Sequence, residues 1–231
     1  MLDRARDTLN TLININNADN DNGNGANGGS SNAKVKVKIE KADFTNFDKH
    51  KFPDGYFDRY YANLCLHYAE NPDDVIREAS RVLVRSGGIA GFTVWGRRDH
   101  SSVMTIVPDI LEGFRKSNGN DDSSEQQKQK QKRSSFHLGE NNEELRQRFL
   151  KDGLFSKCTV MHYPAVLESL DANDYVEAIL DCAPSTKKEL EEEYSKEDQM
   201  RIRRMVHDEA LEILNRGEPL ILDLVMVVAQ K

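Results

Sequence analysis

The chain has 231 residues, 32 basic and 39 acidic, for a net charge of −7. That length builds one α/β domain or two small ones with a sizeable core, and 38% hydrophobic with 31% charged residues is a polar-rich globular composition. No run approaches the roughly 18 apolar residues of a membrane helix, Met1 to Arg6 lacks the apolar block of a secretory signal, and the acidic balance argues against a general nucleic-acid binder.

Cys65, Cys158 and Cys182 are odd in number, widely spaced and free of C-x-x-C. They read as free thiols in a reducing compartment, cytoplasmic or mitochondrial, with no metal site signalled.

Taken in chain order, residues 1–15 read as a short helix, with Leu2, Ala5, Leu9 and Leu12 at helical spacing. Residues 16–33, rich in Asn and Gly, offer too little apolar surface to offset ordering entropy and read as a disordered insertion. Gly23, Gly25 and Gly28 fit G-x-G-x-x-G, but they lack a buried strand before them and a helix after them, so the match is set aside. Val35, Val37 and Ile39 alternate, which predicts a strand over Lys34–Ile39. Tyr56 to Leu66 reads as a buried strand running into a loop.

Asn71-Pro72-Asp73-Asp74 is a helix start: a capping Asn, a Pro in the first turn, and two acids at the positive helix end. Val75, Ile76, Ala79, Val82 and Leu83 form its apolar stripe, and Gly87-Gly88 is expected to stop it. Ile89 to Trp95 predicts a central strand, and 101–116 a further helix. Residues 117–135 are again polar and read as a second disordered insertion. Its basic run Lys128 to Arg133 lacks aromatics, is diluted by acids and reads as solvated loop. Further on, the pattern predicts a helix over 142–151, a strand over 154–163, helices over 172–182 and 187–215, and a last strand over 219–229. Alternation of this kind means an α/β sheet with helices on its faces.

The stretch 34–96 carries a family resemblance. Asp43-Phe44 follows one strand, Phe52-Pro53-Asp54-Gly55-Tyr56-Phe57-Asp58 leads into the next, and Arg81-Val82-Leu83 with Gly87-Gly88 joins a helix to the strand ending at Trp95. This resembles the second half of a class I S-adenosylmethionine-dependent methyltransferase of the UbiE/Coq5-like, type 11 kind. Leu145 to Phe155 is similar to a later element of that family, and 219–229 to its final antiparallel strand. The resemblance implies a Rossmann-like methyltransferase sheet with helices on both faces and an antiparallel last strand, 34–116 being its core and 136–231 the rest of the same domain with a helical cover.

It also implies a function: methyl transfer from S-adenosylmethionine to an unidentified small or macromolecular acceptor. Asp43, Phe44, Asn63 and Leu64 are the expected cofactor contacts, with Asp43 at a strand end accepting from the adenine amino group and Phe44 covering the ring. His67, Tyr68 and Trp95 are expected to border the acceptor. Met-Leu-Asp-Arg-Ala-Arg is similar to a helix following the family's second strand, so its first strand, glycine-rich loop and ribose-binding acid are expected to be missing. A fragment, a partner chain completing the sheet, or a non-catalytic interaction subunit would each explain that. Neither a membrane span nor a nucleic-acid partner is expected.

Overall fold

The computed structural model describes residues 38–117, 136–166 and 171–231. The expected helix over 1–15, the Asn/Gly segment over 16–33 and the polar segment over 118–135 lie outside them, as do residues 34–37 of the first expected strand. Lys38 and Ile39, its last two residues, are not in a strand.

The chain divides into two compact units, residues 1–43 and 44–231. In the first, residues 38–43 have no regular structure, and Lys38 pairs with Glu40 at 2.9 Å. All the elements that follow belong to the second unit.

Strand β1 spans Arg59–Asn63, helix α1 Pro72–Val82, β2 Ile89–Trp95 and α2 Ser102–Ser117. Helix α3 spans Asn142–Leu150, β3 Lys157–Val166 and α4 Ala172–Val176, which runs into a wider π-type turn over Glu177–Asp181. Helices α5 (Pro184–Glu193) and α6 (Lys196–Asn215) precede β4 (Ile221–Gln230). The sheet order is β1-β2-β4-β3. β1 and β2 are parallel, and β4 runs antiparallel to both of its neighbours.

Local chemistry explains the elements. Asn71 caps α1 by accepting from the Asp73 amide, with Pro72 in the first turn and Asp73 and Asp74 at the positive end. The helix stops at Val82, five residues before Gly87. Buried Leu83 turns extended to bridge Phe57, and the amides of Gly55, Tyr56 and Phe57 take the last carbonyls of the helix. Gly87, at φ +80°, closes the following turn instead. The long helix expected over 187–215 is two helices, because Ser195 caps a new start by accepting from the Asp198 amide. The strand expected over 154–163 begins at Lys157, after a turn through Asp152 and Gly153, both with positive φ.

Period-2 alternation sorts the sheet. Ala62, Ala90, Phe92, Val94, Val225, Val227, Ala229 and Cys158 face one core, shared with α1 (Val75, Ile76, Ala79) and α3 (Leu145, Phe149). On the other face, Leu222 packs against a second core made by α2, α4, α5 and α6. There the hydroxyl of fully buried Tyr175 donates to the carbonyl of Val103 at 2.8 Å, so its polar tip is satisfied. Further along that face Tyr61, Met161 and Val228 stay exposed.

Candidate functional site at the carboxyl edge of the sheet

Ligands of open α/β sheets bind beyond the carboxyl ends of the parallel strands. Here that edge is formed by the ends of β1 and β2 and, antiparallel between β2 and β3, the start of β4.

At the end of β1 the backbone is strained. Leu64 sits at φ +50°, a left-handed conformation that costs a branched residue on the order of 1 kcal/mol or more. Thr93 of β2 holds it there. The Leu64 amide donates to the Thr93 carbonyl and hydroxyl, each at 3.0 Å, and the same hydroxyl donates to the Asn63 side-chain oxygen in a very short bond. Thr93 is only 5% exposed. The turn directs the chain into a one-turn helix over Leu66–Tyr68.

That helix delivers His67 and Tyr68 to Trp95, the last residue of β2. The His67 ring lies 4.2 Å from that of Tyr68 and 5.1 Å from that of Trp95, and Trp95 lies 5.1 Å from Phe136. Tyr68 is well exposed, whereas His67 is 7% exposed. Among the described residues neither ring nitrogen of His67 has a hydrogen-bond partner. Burial, with a smaller contribution from the charge of His137, lowers its pKa to about 4, so the imidazole is neutral at physiological pH. Two buried nitrogens without a protein partner cost energy and call for an explanation, of which a ligand or a catalytic role is one.

Beyond Trp95 opens a cleft of about 770 Å³ between α2 and the π-type turn with the start of α5. Trp95 and Phe136 form one wall, Met104, Val107 and Ile179 others.

A second polar cluster stands at the same edge. Asp223 of β4 is 3% exposed, and its carboxylate accepts from the Arg97 amide at 2.8 Å, from the Arg97 Nε at 3.3 Å and from His162 Nδ1 at 2.9 Å. Its own amide donates to the Ser101 hydroxyl. Burial works to raise the Asp223 pKa, but these donors outweigh it and hold the carboxyl below the usual carboxylate range. Gly96 has to lack a side chain, since a Cβ there would overlap this carboxylate.

Of the residues anticipated from sequence, the structure brings His67, Tyr68 and Trp95 into one aromatic cluster and joins Asn63 to Leu64 through Thr93. Phe44 is half-buried and packs against the core of the sheet and α1. Asp43 ends the first compact unit and is exposed in a loop. Sequence reasoning missed Thr93 and Asp223. Each was visible as a lone polar residue inside an apolar strand run, where only a specific partner makes it affordable.

Gly139 ties a neighbouring turn to this edge. A Cβ there would overlap the Trp95 carbonyl and lie 2.6 Å from the Gly96 Cα, backbone that cannot give way. Gly139→Ala is expected to cost about 2 kcal/mol by overpacking and to move Phe136 off Trp95. Trp95 is the only tryptophan, so a changed emission maximum in the folded variant checks this. An unchanged spectrum would refute it.

With three mutually parallel strands and an antiparallel last strand inserted between β2 and β3, the fold is α/β and Rossmann-like, of the methyltransferase type. The methyltransferase domain profile matches residues 10–91. No curated protein matches the chain.

Among solved structures the chain is similar to phosphoethanolamine N-methyltransferase 2 of Haemonchus contortus, determined with S-adenosyl-L-methionine, at 14% identity and a TM-score of 0.38 over 82% of this chain and 36% of that one. It therefore spans about a third of that enzyme. It is also similar to a Bacillus halodurans methyltransferase (14% identity, TM-score 0.41, 84% and 78% of the two chains) and to one from an antibiotic biosynthesis pathway of Anabaena variabilis (10%, 0.43, 85% and 74%). Among the described residues no helix is long and apolar enough to cross a membrane.

Proposed function

We propose that the chain takes part in S-adenosylmethionine-dependent methyl transfer to an acceptor held at the Trp95 edge. One observation carries this reading. At the carboxyl end of β1 a left-handed Leu64, latched by Thr93, leads within three residues to a buried His67 whose nitrogens are unsatisfied beside Trp95. Such a strained turn and orphaned ring fit an edge whose binding capacity the protein itself does not use. The methyltransferase domain match over 10–91 supports the same reading, and the Arg81-Val82-Leu83 motif with Gly87-Gly88 favours the UbiE/Coq5-like branch.

Bound S-adenosylmethionine supplies a methyl group activated on a sulfonium. The chain's own task is then alignment and exclusion of water, not acid–base chemistry. Asn63 and the Leu64 backbone, fixed by Thr93, would hold the methionine side. His67, Tyr68 and Trp95 would form the dry wall against which the acceptor lies. Three free cysteines support a reducing compartment, cytoplasmic or mitochondrial, as the place of work.

Calorimetry of the 231-residue chain with S-adenosylmethionine and S-adenosylhomocysteine tests the proposal. Binding is expected, and Thr93→Val, which keeps the shape but removes the hydroxyl latch, is expected to weaken it about tenfold, the value of one charge-free hydrogen-bond network. Absence of heat from a chain that is folded by circular dichroism would refute it. That outcome favours a second reading, a non-catalytic interaction subunit, which the exposed Tyr61, Met161 and Val228 on one sheet face and the edge position of β1 among the described residues recommend.

A further inference from the structure

The charged groups around the cleft point to the kind of molecule it takes. Arg98 is engaged by Asp109 in a very short pair. Arg115 is shared by Glu189 at 2.6 Å and Glu193 at 3.0 Å. Glu112 is taken by Lys116 at 2.6 Å. Each guanidinium on the rim already has a carboxylate, and each of those carboxylates already has a cation. An anionic ligand such as a phosphate ester would compete with Asp109 for Arg98 or with Glu189 and Glu193 for Arg115, and an ammonium would compete for carboxylates that already have cations, so either ion gains less here than at an unpaired charge.

Among the described residues the walls offer no other charge. Trp95, Phe136, Met104 and Ile179 are apolar, and His67, behind Trp95, is neutral. Ile179 stands on the π-type turn over Glu177–Asp181, a rare helix geometry that occurs frequently at functional sites. A volume of about 770 Å³ is that of a small-molecule site.

We propose that the cleft takes a neutral, largely apolar ligand, recognised by shape and aromatic contact rather than by charge. On the reading of the preceding section, on which its role rests, that ligand is the methyl acceptor.

Trp95 lines the cleft and is the only tryptophan in the sequence, so its emission reports occupancy directly. The 231-residue chain is titrated with three probes of one shape: 1-adamantanol, 1-adamantanecarboxylate and 1-adamantylammonium. The alcohol is expected to half-saturate the change in Trp95 emission at a concentration at least about tenfold lower than either ion, with a midpoint insensitive to sodium chloride. Equal or tighter binding of either ion overturns the proposal.

Ala183→Phe, which fills the cleft from the start of α5, is expected to raise the midpoint for the alcohol at least fivefold. Ile179→Phe does the same from the other side should the first variant fail to fold. An unchanged midpoint in a folded variant places the probe elsewhere and also overturns the proposal. Calorimetry with S-adenosylhomocysteine on the same sample separates the two ideas. Heat without preference for the neutral probe removes this inference and leaves the methyltransferase reading. Preference for the neutral probe without heat supports the cleft's ligand class and removes that reading.

Discussion

Acidification from pH 6.5 to pH 4 is expected to remove about 3 kcal/mol of stability through His67 alone. The imidazole titrates near 6.5 in the unfolded chain and at about 4 in the folded one, and each unit of separation is worth about 1.4 kcal/mol. Because the folded value is the lower one, the unfolded state takes up the proton first as pH falls. The loss therefore begins below about pH 6.5, grows to pH 4 and then levels off, while above pH 7 the residue adds no slope.

The cause lies in the packing. The residue is 7% exposed, its ring is tilted against those of Trp95 and Tyr68, and among the described residues it has no acceptor for a second N–H. His67→Phe keeps an aromatic ring in that place and has nothing to protonate. Urea unfolding of both proteins at intervals from pH 7.5 to 4 is the measurement. The native chain is expected to lose about 3 kcal/mol more than the variant, equivalent to roughly 6–12 °C in a thermal midpoint for a chain of this size. Parallel curves would mean that His67 finds a proton acceptor in solution and that the neutral, orphaned state described above is wrong.

Arg81→Ala is expected to be comparably damaging, at about 3 kcal/mol. Its guanidinium, 14% exposed, pairs with Glu78 at 2.8 Å and with Asp54 at 2.6 Å. It also donates to the carbonyl of Phe52 at 3.0 Å and, more loosely, to that of Phe47 at 3.4 Å. Glu78 in turn accepts from the Phe47 amide. One side chain thus fastens the 47–54 loop to α1. Hydrogen bonding from Glu78, then Asp54, holds its pKa above the ordinary arginine value despite some desolvation.

Truncation leaves the mostly buried Glu78 without its cation and two carbonyls without a donor, the combination that makes broken pairs expensive. Arg81→Lys restores a charge but not the planar fork, and is expected to recover less than half of the loss. Thermal unfolding of the three proteins checks this. A lysine variant as stable as the native chain would show that charge, not the set of directed bonds, does the fastening.

Arg81 shows how much of this molecule could be read from its letters. The Arg81-Val82-Leu83 motif and Gly87-Gly88 were visible in the sequence as a helix-to-strand junction, but their roles were not. The helix was expected to run to the glycines, whereas Leu83 leaves it early because its side chain is buried and its backbone pairs with Phe57, a contact 26 positions away that no local propensity encodes. The cap at Asn71 was legible because all its determinants lie within four residues. Strand β2 was found with its correct ends, since a short, largely apolar run between Gly88 and Gly96 is too brief for a helix. The final strand, expected over 219–229 and observed over Ile221–Gln230, was legible from its apolar run with one lone acid, its start displaced by two residues.

What the sequence by itself determined is therefore the α/β alternation, the caps, and the residue types gathered near Trp95. All of these follow from short-range periodicity, turn chemistry and side-chain polarity. Only the tertiary structure decided that β4 inserts antiparallel between β2 and β3, that Thr93 latches Leu64 in a left-handed turn, that Asp223 collects Arg97 and His162, and that the charges round the cleft cancel in pairs. The latch, the Asp223 cluster and the pairing of Arg115 with Glu189 join groups some 30 to 130 residues apart. Hydrogen-bond and ion-pair partners at such separations are chosen by packing of the whole sheet, and a linear pattern of residues holds no record of that choice.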